Sequence, residues 1–220
     1  MAYTGHLAYK ATGELTYRHP IREQDLEVCM NSQADWRADG FKITDDPEEQ
    51  AKFENLYQIW LAQNQKIKDL FDSHGNDLNA IQAGERHTGE SCIGIYRKDT
   101  NACIGYTLSC VDDDTLIHRG VALLLSERDK GYYQDTRTVG MKLTFQTWNY
   151  NKILSQVPTT VNEAYPSTKT EEHISTTRVD PITYNHIEIT REQFTNWLAL
   201  DAQEAVRNEH YSFELNWSEL

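Results

Sequence analysis

The chain has 220 residues, 39% of them apolar, and a formal net charge of −13. So acidic a balance argues against direct binding to nucleic-acid phosphates and to anionic membranes, and no Lys/Arg run offsets it. The length suits one domain with a substantial core, and 5 Trp, 12 Tyr and 6 Phe supply anchors for it, so the chain is not disordered throughout.

Met1 to Lys10 lacks an apolar core of signal-peptide length, and no stretch nears the roughly 18 apolar residues of a membrane span. The expected location is therefore cytoplasmic. Glu14 to Ile21 reads as a strand with Leu15 and Tyr17 on one face, and Pro20 places its far end near an edge. Arg22 to Met30 follows as a short helix. Asp46-Pro47-Glu48-Glu49 is a strong helix start, because Asp46 can cap, Pro47 suits the first helical position and Glu49 completes a capping box. Phe53, Leu56, Tyr57, Trp60, Ile67, Leu70 and Phe71 recur at three-and-four spacing and predict a long amphipathic helix ending near Gly75.

After a polar connection, Ser91 to Arg97 and Ala102 to Cys110 read as strands joined across the turn-forming run Lys98 to Asn101. Asp112, Asp113 and Asp114 read as a solvated turn, and Thr115 to Leu125 as a third strand, so that 91–125 forms an antiparallel meander. Ser126 to Gly131 is a loop, Tyr132 to Tyr150 a helix, and Ile153 to Val157 a short buried strand. Thr159 to Asp180 is rich in Thr, Ser and Glu and poorly defined. Ile182 to Ile189 is a strand, Thr190 caps a helix with Gln193 in the capping-box position, and Tyr211 to Trp217 alternates as a final strand. No repeat or linker divides the chain, so 1–220 reads as a single domain. Cys29, Cys92, Cys103 and Cys110 form no CxxC pair, and no His cluster has zinc spacing. They read as buried free thiols, with no metal site.

A strand feeding a tight loop that opens a helix aims backbone N–H groups at whatever sits on the helix N-terminus, and that end favours phosphate. Here the loop is Glu127-Arg128-Asp129-Lys130-Gly131-Tyr132-Tyr133. Arg128 and Lys130 are local cations, and Gly131 permits close backbone approach. Arg128-Asp129-Lys130-Gly131-Tyr132-Tyr133 resembles the Gln/Arg-x-x-Gly-x-Gly/Ala loop of the GNAT (GCN5-related N-acetyltransferase) superfamily. The Arg-x-Lys-Gly-Tyr portion looks most like the branch that acetylates protein N-termini, including those of ribosomal proteins. Ile104 to Leu125 looks like that branch's second-to-fourth strands, and Leu15 to Glu27 like its first strand and helix.

The resemblance covers roughly 14–190 and leaves 190–220 as a C-terminal helix and strand extension. It implies an α/β (α+β) fold with a mixed, mostly antiparallel central sheet and helices on both faces. It implies acetyl-CoA in a splay between the family's fourth and fifth strands. Backbone groups from Leu123 to Leu125 would take the pantetheine arm, and the loop from Arg128 through Lys130, Gly131, Tyr132 and Tyr133 would take the pyrophosphate. Tyr133 departs from the motif, which has Gly or Ala there. Family members often use a general base near the fourth or fifth strand and a tyrosine as general acid. His118 titrates in the range of a base, and Tyr165 and Tyr184 are the candidate acids. The family's helix after the fifth strand would map near Glu171 to Arg178, which holds no tyrosine and is rich in β-branched residues.

Two readings follow. In one, the chain is an N-acyltransferase whose acceptor is an amine, either a small molecule such as a polyamine or a basic peptide, drawn by the acidic surface. In the other, a Tyr133 ring closes the loop and no acetyl-CoA binds. The fold then serves protein partners in an assembly, such as a phage virion. The oligomeric state is open in both.

Overall fold

Alternation of apolar and polar side chains through nine short segments builds one sheet. The structure, a computed structural model, describes residues 5–10, 13–19, 21–29, 31–32, 58, 61–62, 65–75, 77, 80, 90–112, 114–158, 172–179, 182–200 and 214–219. The strands are β1 (Gly5–Lys10), β2 (Leu15–His19), β3 (Glu90–Arg97), β4 (Cys103–Asp112), β5 (Thr115–Leu123), β6 (Lys152–Pro158), β7 (Glu172–Val179), β8 (Ile182–Thr190) and β9 (Glu214–Glu219). Their spatial order is β7-β8-β6-β5-β4-β3-β2-β1-β9. Every pairing is antiparallel except β5 with β6. A parallel pair needs a crossover, and the segment between β5 and β6 supplies a helix for it.

The β3–β4–β5 meander forms as expected. Asn101 takes φ +54° and turns the first hairpin, a conformation that asparagine tolerates better than most residues. Besides shorter helical stretches, the described residues include three longer helices: α1, which includes 65–74, α2 (Tyr132–Lys142) and α3 (Arg191–Leu200). The expected helix from Tyr132 to Tyr150 is α-helical only to Lys142. It continues as a π-helical turn over Leu143–Thr147, closed by the Trp148 amide on the Leu143 carbonyl at 2.8 Å.

Successive strand residues point to opposite faces, and they divide the core in two. Ile93 and Ile95 of β3, with Leu116 and Leu123 of β5, pack against Val139 and Phe145 of the crossover and Phe194 of α3. Cys92 and Tyr96 of β3, with Tyr106 and Ala122, face the other way and are covered by Ile21, Leu26 and Cys29. Those last residues belong to a 3-10 turn, Glu23–Asp25, and the helical residues 26–29 that follow it. The fold class read from the sequence, a mixed and mostly antiparallel α/β sheet with helices on both faces, is the one found.

Some expectations change. The segment near Glu171 to Arg178, where the resemblance placed a helix, is strand β7. Its Ile174, Thr176, Thr177 and Val179 are β-branched and lose rotamer freedom in a helix. Gly5–Lys10, part of the stretch read only as lacking an apolar core of signal-peptide length, is strand β1, held between β2 and β9. The capping box at α3 is confirmed on both sides: the Thr190 amide donates to Gln193 Oε1 at 2.7 Å, and the Gln193 amide donates to Thr190 Oγ1 at 3.1 Å. Cys29, Cys92 and Cys103 are buried free thiols. The helix start at Asp46 to Glu49 and the aromatic positions Phe53, Tyr57 and Trp60 lie outside the described residues.

Candidate functional site

β5 and β6 begin side by side and then part. Their pairs run Thr115 with Lys152, Leu116 with Ile153, Ile117 with Leu154 and His118 with Ser155, and the ladder ends there. Gly120–Leu123 of β5 continues along β4, while Gln156–Pro158 of β6 continues along β8. A wedge therefore opens between the two strands. The cause lies in β5. Gly120 pairs with Leu108 and His118 with Ser109, which leaves Arg119 as a bulge, and Gly120 takes φ +137°. A bulge bends its strand and raises the local twist, and this one falls where the parallel ladder stops.

His118 sits at the apex of the wedge, half-buried. Its Nε2 is 3.3 Å from Thr107 Oγ1 and its Nδ1 is 3.4 Å from Ser155 Oγ. Thr107 Oγ1 also donates to the Gly120 carbonyl at 3.3 Å, so the chain of contacts links β4, β5 and β6. With that Thr107 donation, the consistent tautomer has Nε2–H donating to Thr107 and Nδ1 accepting from Ser155. Burial, reinforced by the nearby Arg137 guanidinium, pushes the imidazole down to about 4. At neutral pH the ring is uncharged.

The wedge's β5 side runs into the loop. The Leu124 amide bonds the Ile104 carbonyl at 2.9 Å, and a 3-10 turn spans Leu125–Glu127. Asp129 (φ +59°) and Gly131 (φ +82°) then turn the chain into α2. Gly131 is the N-cap of α2, with no side chain capping the helix. A Cβ added at Gly131 would meet nothing within 4 Å, so the space beside the N-cap is open. Its first-turn N–H groups have no intrahelical partner and favour an anion.

The loop's side chains divide into two roles. Arg128 Nε donates to the Leu123 carbonyl at 3.3 Å, and Lys130 Nζ pairs with Glu127 at 3.0 Å. Leu123 is buried in the core, whereas Leu125 is 59% exposed. Tyr132 is buried and its hydroxyl donates to Glu14 Oε2 at 3.0 Å. Burial and that carboxylate raise its phenol. The Tyr132 side chain thus anchors α2 to the start of β2, and only its backbone faces the loop. Tyr133 is the second residue of α2 and is half-buried.

Of the two tyrosines expected as acids, Tyr165 lies outside the described residues. Tyr184 is in β8, in register with Pro158 of β6 and Thr177 of β7. His118 pairs with Ser155, three residues before Pro158 on the same strand. The partners of His118, Thr107 and Ser155, were missed by the sequence reading. Their only signal was a lone polar residue inside an apolar run. Among the described residues no group of three or more His, Cys, Asp or Glu could hold a metal, and no helix is long and apolar enough to cross a membrane.

No protein-family model and no curated protein sequence matches the chain. Solved structures do. A chimera of the spermidine N-acetyltransferase SpeG from Vibrio cholerae and hSSAT superposes with a TM-score of 0.56 at 14% identity, covering 84% of this chain and 99% of that one. The Vibrio cholerae spermidine N-acetyltransferase in complex with CoA and spermine gives 0.53 at 13% identity, over 83% and 99%. The PaiA N-acetyltransferase of Thermoplasma acidophilum in complex with coenzyme A gives 0.54 at 10% identity, over 81% and 99%. At these identities the likeness is one of architecture, and the chain has a GNAT-like fold.

Proposed function

We propose that the chain is an N-acyltransferase that moves an acetyl group from acetyl-CoA to an amine. The observation that carries this reading is the wedge between β5 and β6, which leads directly to the open N-terminus of α2. The residues present fit the cofactor. Backbone groups of Leu123 to Leu125 would hold the pantetheine arm along the β5 edge. Arg128, Lys130 and the first N–H groups of α2, reached past Gly131, would hold the pyrophosphate. Acetyl-CoA supplies a thioester carbonyl that an amine attacks directly.

His118 stands where the strands part and is the proposed proton acceptor, uncharged at pH 7 and held at both nitrogens. Tyr165 and Tyr184 are the tyrosines proposed to return a proton to the leaving sulfur, and each is tested by its Phe variant. For the acceptor we propose a polyamine, since the chain is strongly acidic and two of the three named neighbours are spermidine N-acetyltransferases. The likeness to the branch that acetylates protein N-termini gains no support from those neighbours.

Calorimetric titration with acetyl-CoA tests the reading, with a Tyr133→Ala variant alongside. Micromolar binding by the natural chain, followed by CoA release on adding spermidine, is the expected result. Binding by the variant alone means that the Tyr133 ring closes the site. Binding by neither removes the enzyme reading.

A further inference from the structure

The face of the sheet turned away from α2 holds a second cluster that the wedge does not use. Cys29 and Cys103 are buried there, at 0% and 6% exposure, with their sulfurs 4.0 Å apart. Cys92 is buried in the same cluster. The surroundings are polar for a core. The guanidinium groups of Arg18 and Arg22 both lie over the Tyr96 ring, at 5.0 and 4.9 Å from its centroid. The Tyr96 hydroxyl donates to Asp25 at 2.9 Å, and Arg22 is salt-bridged to Asp25.

We propose that Cys29 and Cys103 are an oxidisable dithiol, a modification site closed to a disulfide by a peroxide. A disulfide needs its sulfurs at about 2 Å, and rotations about the two Cα–Cβ bonds are the means of closing the remaining gap. Cys103 is the attacking sulfur. The hydrogen bond from Cys29 lowers its thiol below the usual value while raising that of Cys29, and the Arg18 guanidinium adds a charge that favours a thiolate at Cys103. In the first step the Cys103 thiolate attacks one peroxide oxygen. The O–O bond breaks, hydroxide leaves and takes up a proton, and Cys103 becomes a sulfenic acid. In the second step the Cys29 sulfur attacks that sulfur, the S–O bond breaks, and the S–S bond forms with loss of water. The two thiols are oxidised by two electrons, and the peroxide is reduced to water.

The pair joins segments far apart in the chain. Cys29 lies among the helical residues that cover this face, and Cys103 opens β4 two residues before Gly105, the partner of Leu123 on the wedge strand. Closing the bond would fasten that cover to the strand that backs β5. Nothing in this inference depends on the acyltransferase reading.

The test treats the full chain with hydrogen peroxide, alkylates the remaining thiols in denaturant, and maps the peptides by mass spectrometry. The expected result is one linked peptide pair, Cys29 with Cys103, lighter by two hydrogens and restored by dithiothreitol. Oxidation should also raise the thermal midpoint by several degrees. Cys29→Ala and Cys103→Ala should each abolish the link, and Cys92→Ala should leave it intact, which separates a specific pair from general oxidation. A link through Cys92 instead, full alkylation of both cysteines, or sulfinic acids without a link would each overturn the proposal.

Discussion

Lowering the pH from 7 to 4.5 should destabilise this protein through one histidine in particular. His118 titrates near 4 when folded, because burial disfavours its charged form, and near 6.5 when unfolded. A depressed histidine contributes stability that is fully present above the unfolded value and is lost as pH falls toward the folded one. Between about 6.5 and 4 the unfolded chain binds close to one proton more at this site, so stability should fall by about 1.4 kcal/mol per pH unit. Because the ring is partly accessible, we take a total of about 2 kcal/mol. Urea midpoints measured at half-unit steps from pH 7.5 to 4.5 give the slope. The carboxylates titrate in part of the same range, so the reading is the difference between the natural chain and His118→Gln. The variant should lose that extra slope while keeping the amide's capacity to bond Thr107 and Ser155. Parallel curves for the two chains would refute the argument that burial controls this imidazole.

Other outcomes follow from the same geometry. A Cβ at Gly105 would stand 2.1 Å from the Ala122 carbonyl oxygen, so Gly105→Ala must push β4 and β5 apart. It should lower stability by roughly 2–4 kcal/mol, seen in urea melts. Gly131→Ala meets no neighbour but keeps φ +82°, so it should cost only about 1–2 kcal/mol; a loss of acetyl-CoA affinity beyond that would report close backbone approach to the cofactor. Arg191 donates to the Phe145 and Tyr150 carbonyls at 2.6 and 2.5 Å, which holds α3 to the π-helical turn. Arg191→Ala should cost about 2–3 kcal/mol by thermal melting. Gln193→Ala removes half of a reciprocal cap and should cost about 1 kcal/mol.

What the sequence showed and what it hid divide along the range of the interactions. The β3–β4–β5 meander and the Thr190–Gln193 cap are set by residues within a few positions of one another, so period and turn chemistry found them. The Arg128-to-Tyr133 loop was found for the same reason, although the Tyr132 side chain went to Glu14 instead of the loop, a pairing across more than a hundred residues. β1 was missed because its polar-rich GHLAYK becomes a strand only by lying between β2 and β9. β7 was left undefined because Ser, Thr and Glu read as loop residues until a neighbouring strand pairs with them. The contacts of His118 with Thr107 and Ser155 depend on the register of three strands, which no local pattern states.

The pairing of β1 with β9 also bears on how the protein is made. Leu7 lies opposite Trp217 and Gly5 opposite Glu219, so the two outermost strands on that side come from opposite reaches of the chain. During synthesis β1 emerges first and β9 is the last described strand to leave the ribosome. Until it does, the nascent sheet from β1 to β8 presents a bare row of backbone donors and acceptors along β1. Translation thus sets a window in which another strand, from a neighbouring nascent chain, competes for that edge, and slow translation between β8 and β9 lengthens it.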